Sequence, residues 1–193
     1  LLILVSLMLL LSLITYSPED PNFIFPENTK IKNLLGEKGS YISDLFFQSF
    51  GLVAYLIPIT FFFTGAKIFI SKKIIFILEN IFFIILYSIF GTFFLNNFYN
   101  DSFLLTINGN GGFIGNFLNN TFLLSIIKIN EKIFYYIFII FTFFFFLKSV
   151  HFTFKGISNF IKTLYNFIIK GRKVENFNLN ISSTNLEKAK VEE

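Results

Sequence analysis

Three kinds of side chain in this sequence could carry chemistry: a carboxylate within an apolar run, a single histidine and a cluster of glycines. Glu79 and its neighbour Asn80 lie in the run Ile74–Leu95, where an ionisable side chain is a candidate functional group by default. Because Glu79 is close to the basic end of that run, it can snorkel toward Lys72 and Lys73. This position favours a structural role for the carboxylate.

His151 is the only histidine of the chain, so it has no second imidazole with which to bind a metal. The sequence offers it no obvious proton-relay partner, and we predict an ordinary residue at the membrane border. The chain has no cysteine, which excludes disulfides, thiolate metal sites and cysteine nucleophiles. We therefore predict no catalytic residue, no metal site and no cofactor site in this chain.

The stretch NGNGGFIG, residues 108–115, invites comparison with the glycine-rich loops that hold dinucleotides. The pattern G-x-G-x-x-G fails there because position 114 is isoleucine, and no strand is predicted before it. The dipeptide Gly-Lys occurs nowhere in the chain, so a Walker A phosphate loop is excluded as well. The sequence indicates no nucleotide site.

Four long apolar runs must position these residues. A bilayer core requires ~20 consecutive apolar residues per helix, and the runs that approach this length predict a helical membrane protein. Their bounds are Leu1–Tyr16, Leu45–Ile70, Ile74–Leu95 and Ile133–Phe154. The first run is not read as a signal peptide, because the ITYSPED that follows it has no small-residue cleavage site. Pro58 is predicted to kink the second span.

Basic residues are distributed unevenly between the two sides of these spans. The segments Lys67–Lys73 and Lys148–Lys173 carry nine lysines and arginines and no acid. The loops Ser17–Asp44 and Asn96–Lys132 carry five basic and seven acidic residues. Because basic loops stay on the cytoplasmic side, the sequence predicts an all-α membrane protein with four transmembrane helices and both ends in the cytoplasm.

Two further segments are amphipathic. Phe113, Ile114, Phe117 and Leu118 share one face of a helix, which predicts a short helix in the outer interface of the bilayer, with a re-entrant dip as the alternative. Residues 156–170 repeat apolar side chains at i, i+3, i+4 and i+7, which predicts a basic amphipathic helix on the cytoplasmic surface. The polar residues 174–193 are predicted to begin a cytoplasmic linker, so that residues 1–173 form the membrane domain.

The loop between the first two spans has its own pattern. Gly36 and Gly39 are predicted to form a turn, and Ser43 or Asp44 to cap the helix of the second span. Both ends of the chain look cut, so we expect it to be a piece of a longer protein.

Three motifs in this order resemble the N-terminal four-span domain of the FtsK-like bacterial DNA translocases. They are YSPEDPNF after the first span, NLLGEKGSYISDLFFQSFGLVAYLIP leading into the second, and GGFIG in the later outer loop. One departure is Phe23, where the family often has tryptophan. The residues that carry the resemblance, and that it marks as structural or interaction residues, are Pro18, Asp20, Pro21, Gly36, Gly39, Asp44, Gly51, Tyr55, Pro58, Gly111, Gly112 and Gly115.

The resemblance implies a multi-pass protein of the bacterial inner membrane that acts at the division septum. In that family the membrane domain is expected to contact the lipid bilayer and other division-site membrane proteins. A linker leads to a hexameric motor that uses ATP and magnesium to pump double-stranded DNA during chromosome segregation. The motor is absent from this chain, so homo-oligomerisation is expected through that missing part, and no direct DNA contact is expected here.

Two other classes of function compete with this interpretation. A small transporter or channel subunit would need polar residues that converge at the middle of the bilayer, and the spans have almost none. An intramembrane enzyme would need a nucleophile with its base, or a metal set, and neither is present in the sequence. The sequence therefore favours a membrane anchor and interaction domain.

Overall fold

The structure is a computed structural model that describes residues 1–21, 30–101, 105 and 107–152. Phe23, the predicted amphipathic helix 156–170 and the predicted linker 174–193 lie outside the described residues. The chain divides into two compact units, Leu1–His151 and Phe152–Glu193. Every element given below belongs to the first unit.

Seven α-helices and one 3₁₀ turn make up the described part of the chain, which contains no strand. The predicted all-helical class is confirmed for these residues. The elements are α1 (Leu2–Ile14), α2 (Gly36–Phe50), a 3₁₀ turn (Gly51–Tyr55), α3 (Leu56–Ser71), α4 (Phe76–Phe98), α5 (Gly112–Asn119), α6 (Leu123–Ile129) and α7 (Glu131–Ser149).

Among the described residues, three helical segments are long and apolar enough to cross a membrane. They are Gly36–Ser71, Phe76–Phe98 and Glu131–Ser149, and they correspond to the second, third and fourth predicted spans. The first predicted span contains the shorter apolar helix Leu2–Ile14. At 1.5 Å per residue its 13 residues reach about 20 Å, whereas a bilayer core is about 30 Å thick.

The start of the second span differs from the prediction. Helix α2 begins at Gly36, so Gly39, Ser43 and Asp44 all lie inside it rather than in a turn or at a cap. The predicted capping role of Ser43 or Asp44 is therefore wrong. The polar side chains that made this stretch look like a loop are buried against a neighbouring loop, where they find hydrogen-bond partners.

The predicted kink of the second span lies at Gly51 instead of Pro58. Gly51 adopts a φ of 56° and a ψ of −143°, which ends α2, and the chain passes through a 3₁₀ turn before α3 begins. Pro58 is the third residue of α3, where a backbone N–H has no partner within the helix in any case. Glycine rather than proline thus interrupts this span.

Helices α1, α3, α4 and α7 pack side by side in alternating directions. The hydroxyl of Tyr55, just before α3, donates to the carbonyl of Leu13 near the end of α1. At the other end of α3, a Cβ added to Gly65 would lie 2.7 Å from Cγ1 of Ile3. Helices α4 and α7 pack through stacked rings such as Phe90 and Phe141, whose centres are 5.2 Å apart.

The two ends of this bundle have different chemistry, and we name them by their residues. At the lysine end, Lys67 lies 3.9 Å from the ring centre of Phe76 and 2.7 Å from Nδ1 of His151. At the glycine end, Gly51 lies directly against the backbone of Gly112. The candidate functional residues lie mainly at the glycine end.

A ladder of neutral polar side chains crosses the interior of the bundle. Thr60 Oγ1 lies 2.9 Å from the hydroxyl of Ser149 and 3.3 Å from that of Tyr87, which joins α3 to α7 and α4. One turn further, the amide of Asn80 donates to Thr64 Oγ1. All five side chains are buried. The spans therefore contain more converging polar groups than the sequence predicted, but every member of this ladder is uncharged.

Candidate functional site

Asp20 organises the loop between α1 and α2. Its side chain is buried, and its two carboxylate oxygens accept hydrogen bonds of 2.8 Å from the backbone N–H groups of Lys32 and Asn33. Ionised carboxylates form strong bonds with backbone N–H groups. Asp20 thus holds the loop segment at Lys32 and Asn33 next to the turn that begins at Pro18.

Asn33 carries this arrangement into the two helices. Its side-chain amide donates to the carbonyl of Ser12 in α1 at 2.9 Å, and Ser12 Oγ donates to the carbonyl of Gly39 in α2 at 2.6 Å. A Cβ on Gly39 would lie 2.2 Å from Asn33 Oδ1, so only glycine leaves room for the contact. Ser40 Oγ completes the set with a 2.7 Å bond to the carbonyl of Pro21. We call Ser12, Asp20, Asn33, Gly39 and Ser40 the loop cluster.

A second set of contacts runs from Asp44 to the loop after α4. The Asp44 carboxylate accepts from the Tyr16 hydroxyl and from the Gln48 amide, both at 3.3 Å. Gln48 Oε1 in turn accepts from the Asn108 amide at 2.8 Å. Tyr16 lies beyond the end of α1, and its ring packs on that of Phe47 with the ring centres 4.8 Å apart. A neutral phenol is the form that can donate to Asp44.

Gly51 and Gly112 form the closest backbone contact at this end. The N–H of Leu52 donates to the carbonyl of Asn110 at 3.0 Å. A Cβ on Gly51 would lie 1.9 Å from that carbonyl oxygen, and a Cβ on Gly112 would lie 2.5 Å from the nitrogen of Gly51. Both residues have positive φ, at 56° and 65°, which favours glycine for a second reason.

Gly111 and Gly115 seat α5 on α4. A Cβ on either glycine would lie within 2.7 Å of the carbonyl oxygen of Thr92, and at most 3.0 Å from Cβ of Asn96. The spacing of these glycines gives α5 a face without side chains, on which its backbone approaches α4. We call Gly51, Gly111, Gly112 and Gly115 the glycine junction.

The structure brings most of the predicted site residues together at the glycine end. Asp20, Pro21, Gly39 and Asp44 belong to or border the loop cluster, and four glycines form the junction. Gly36 is the first residue of α2. The ring of Tyr55 packs on the ring of Phe47, and the two ring centres are 5.2 Å apart. Pro18 is exposed. Pro58 lies away from the two clusters, where it lines a groove of about 270 Å³ between α1 and α3. Their role in binding a partner remains a prediction.

Several residues of these clusters were missed from the sequence. Ser12, Asn33, Ser40, Asn108 and Asn110 all make contacts that hold the loops in place. A serine within an apolar helix, such as Ser12, is a signal that could have been used, since a buried hydroxyl needs a partner. The asparagines have no such signal, because they resemble ordinary loop residues.

At the lysine end, the structure adds detail to two interpretations of polar side chains without contradicting either of them. His151 does have a polar partner, because Lys67 Nζ lies 2.7 Å from its Nδ1. Glu79 is exposed and makes no ion pair with Lys72 or Lys73, both of which are described. The described residues do contain an ion pair between Lys32 and Glu19, which lowers the pKa of the Glu19 carboxylate. Both of these side chains are exposed, so the pair adds little stability.

The described residues at the glycine end hold the loops in position. Within the described ranges, no group of three or more histidine, aspartate or glutamate side chains could hold a metal ion. Asp20 and Asp44 are engaged by backbone or side-chain donors, and the remaining groups are glycines, hydroxyls and amides. Such a set can fix the shape of an exposed surface.

Comparison with known proteins gives one family and several relatives. The family described as the 4TM region of DNA translocase FtsK/SpoIIIE matches residues 1–159. Relatives named DNA translocase FtsK are 38% identical over 61 residues in Rickettsia typhi, 42% over 53 residues in Rickettsia bellii and 34% over 61 residues in Rickettsia prowazekii. These segments cover 32%, 28% and 32% of this chain, but only 8%, 7% and 8% of the relatives. No solved structure matches the chain significantly.

Proposed function

The chain belongs to the family of the 4TM region of DNA translocase FtsK/SpoIIIE, and on that premise we propose that it anchors such a translocase at the division septum. Its task is to hold the protein in the bacterial inner membrane and to contact other division-site membrane proteins. The observation that carries this proposal is the family match over residues 1–159, which coincides with three spans and a shorter apolar helix.

The orientation that we propose places the lysine end in the cytoplasm and the glycine end outside. Lys67, Lys72, Lys73 and Lys148 lie at or next to the lysine end, as the positive-inside rule requires. The loops at the glycine end carry the excess of acids. A single cysteine replacing exposed Glu37 should react with an impermeant reagent in intact cells, whereas one replacing exposed Lys73 should react only after permeabilisation. The opposite pattern would reverse the orientation.

The proposed contact surface is the apolar rim that the loop cluster supports. Leu34 is 70% exposed, and Ile42 and Leu45 on α2 are 44% and 54% exposed. Asn33 and Gly39 fix the loop and helix that present these side chains. Apolar side chains held on a rigid frame suit recognition of a membrane-protein partner, because little conformational entropy is lost on binding.

The rest of the translocase is proposed to lie beyond this membrane domain. A motor that uses ATP and magnesium would grip DNA and form the homo-oligomer, while the chain described here contributes neither ATP hydrolysis nor DNA contact. A basic amphipathic helix over residues 156–170 and a linker from residue 174 would connect the two parts. The proposal is tested by imaging a fluorescent fusion of residues 1–193 in dividing cells. Septal enrichment is expected, and a uniform membrane signal would contradict the septal role.

The alternative of a small transporter or channel is not favoured by the polar ladder. Thr60, Thr64, Tyr87 and Ser149 are bonded to one another or to backbone carbonyls. They are buried, and a transport pathway needs groups that a substrate can reach. The ladder is better suited to holding α3, α4 and α7 in register.

A further inference from the structure

Helix α6 carries three distinct faces, which the sequence did not reveal. Leu123 and Ile127 point into the protein, where Ile127 is buried with Phe93 and Phe138. Ser125 and Lys128 are exposed on a second arc of the helix. The third arc carries large apolar side chains that the protein leaves uncovered: Phe122 at 74%, Ile126 at 38% and Ile129 at 81% exposure.

The three arcs follow from helical geometry. At 100° per residue, Phe122, Ile126 and Ile129 fall within about 60° of one another. Around the helix axis, Ser125 and Lys128 are centred roughly 100° to one side of this apolar arc. Leu123 and Ile127, which face the protein, are centred roughly 110° to its other side. A helix that met only protein and water would need two faces. The third, apolar face needs a third environment.

The depth of α5 and α6 along α4 identifies that environment. Gly115 of α5 lies on the carbonyl of Thr92, six residues before α4 ends at Phe98, which corresponds to about 9 Å along the helix. Leu123 and Ile126 of α6 line a groove of about 260 Å³ whose α4 wall reaches down to Ile89. The 23 residues of α4 span about 34 Å, so an α4 that crosses a hydrocarbon core of about 30 Å carries these contacts into that core.

Neighbouring elements also carry uncovered apolar side chains. Ile89 of α4 and Ile133 at the start of α7 are 38% and 54% exposed on spans long enough to cross the membrane. Phe113 and Phe117 of α5 are 60% and 61% exposed as well, and their rings stack with centres 6.3 Å apart. A protein inserted through these spans brings the α6 face to the same bilayer.

Most backbone N–H groups in the connection between α5 and α6 have hydrogen-bond partners, although the N–H of Phe122 is not among them. The N–H groups of Asn120, Thr121 and Leu124 donate to the backbone carbonyls of Asn116, Leu118 and Thr121. The N–H of Leu123 donates to the Thr121 hydroxyl. Backbone groups satisfied in this way can approach hydrocarbon without the large penalty of an unpaired polar group.

We infer that α5 and α6 together form a shallow lipid-binding collar at the glycine end of the bundle. Phe122, Ile126 and Ile129 insert among phospholipid acyl chains of the adjoining leaflet, while Ser125 and Lys128 stay at the level of the headgroups. Insertion to about 5–10 Å is typical of helices that lie in the interface. The groove beneath α6 is entirely bordered by apolar side chains and accepts acyl chains at its edge.

The chain lacks cysteine and tryptophan, so single probes can be placed on it cleanly. In nanodiscs of phosphatidylcholine and phosphatidylglycerol both membrane faces are open to reagents, so the result is independent of the orientation and septal role proposed above. Phe122→Cys and Ile126→Cys should react with an impermeant maleimide at least tenfold more slowly than the matched variants Ser125→Cys and Lys128→Cys. Equal rates on both arcs would overturn the collar.

A second probe does not depend on thiol chemistry. Phe122→Trp should be quenched by lipids with brominated acyl chains and not by iodide, whereas Glu37→Trp should show the reverse. Quenching of Phe122→Trp by iodide alone would place α6 in water and overturn the inference. Slow labelling of Phe122→Cys in native membranes combined with fast labelling in nanodiscs would also overturn it, because the face would then be covered by a protein partner.

Discussion

The amide nitrogen of Leu52 donates a 3.0 Å hydrogen bond to the carbonyl oxygen of Asn110, which joins the second span to the loop after the third. The bond is possible because Gly51 has no side chain, and a Cβ there would lie 1.9 Å from the same oxygen. This contact lies at the centre of the glycine junction. Its disruption should separate α5 from the bundle.

Gly51→Ala should destabilise the protein strongly. Alanine would have to adopt a φ of 56° and would collide with the Asn110 carbonyl, so we expect a loss of at least about 3 kcal/mol. Gly36→Ala is the matched control, because Gly36 has a φ of 67° but open space around its Cβ position. Gly36→Ala should lower the free energy of unfolding by about 1–2 kcal/mol. Reversible unfolding in mixed micelles measures both, and equal losses would show that the close contact is unimportant.

Asp20→Ala should weaken the loop cluster. It leaves the N–H groups of Lys32 and Asn33 without their acceptor, at about 1–3 kcal/mol for each group. Asp20→Asn keeps one acceptor oxygen, so it should lower the stability of the protein by about half as much as Asp20→Ala. Unfolding midpoints of the two variants, compared with Asp101→Ala at an exposed position, test this order. A loss as small as that of Asp101→Ala would argue against an organising role for Asp20.

Thr60→Val tests the polar ladder. Valine has nearly the same shape but removes the oxygen that contacts Ser149 and Tyr87, so the three helices lose their common hydrogen-bonding group. Such bonds within membranes contribute about 0.6 kcal/mol on average and up to about 1.7. Thr142→Val is the control, because its hydroxyl bonds only to Phe138 of its own helix. If Thr60→Val and Thr142→Val have the same free energy of unfolding, the ladder has no part in joining the helices.

Residues 1–193 in nanodiscs should neither bind duplex DNA with sub-micromolar affinity nor hydrolyse ATP. Lys67, Lys72 and Lys148 lie over phenylalanine rings at 3.9, 5.1 and 5.7 Å from their centres, next to the membrane spans. DNA binding needs basic groups that are free to reach phosphates. Titration of labelled duplex at physiological salt and an ATPase assay against empty discs check this. Sub-micromolar binding, or turnover above the control, would contradict the proposed division of labour.

Three of the four predicted spans coincide with helices long enough to cross a membrane, because apolar length alone identifies such a helix. The start of α2 could not be predicted, because Ser40, Ser43 and Asp44 give that helix a polar face that sequence patterns assign to a loop. Their partners are distant in the chain: Ser40 meets Pro21, and Asp44 meets Tyr16. Only tertiary structure brings such residues together.

The glycine junction illustrates a second limit. The apolar pattern of Phe113, Ile114, Phe117 and Leu118 predicted a short helix after the motif GGFIG, and α5 lies there, while its place in the outer interface stays a prediction. Why the motif requires glycine became clear only from the carbonyl oxygen of Thr92, which belongs to another helix and carries no sequence signal of its own. The third face of α6 was missed for the same reason, because depth along α4 cannot be read from the sequence.

Septal recruitment is measured as the fluorescence of a fusion of residues 1–193 at the septum, divided by that of the lateral membrane in the same dividing cells. We expect enrichment for the natural chain and loss of enrichment in the double variant Gly36→Val with Gly39→Val, with equal amounts of both proteins inserted in the membrane. Thr60→Val, which weakens the interior of the bundle instead of the loop, should keep the enrichment. Enrichment that persists in the double variant, or is absent from the natural chain, would contradict the account.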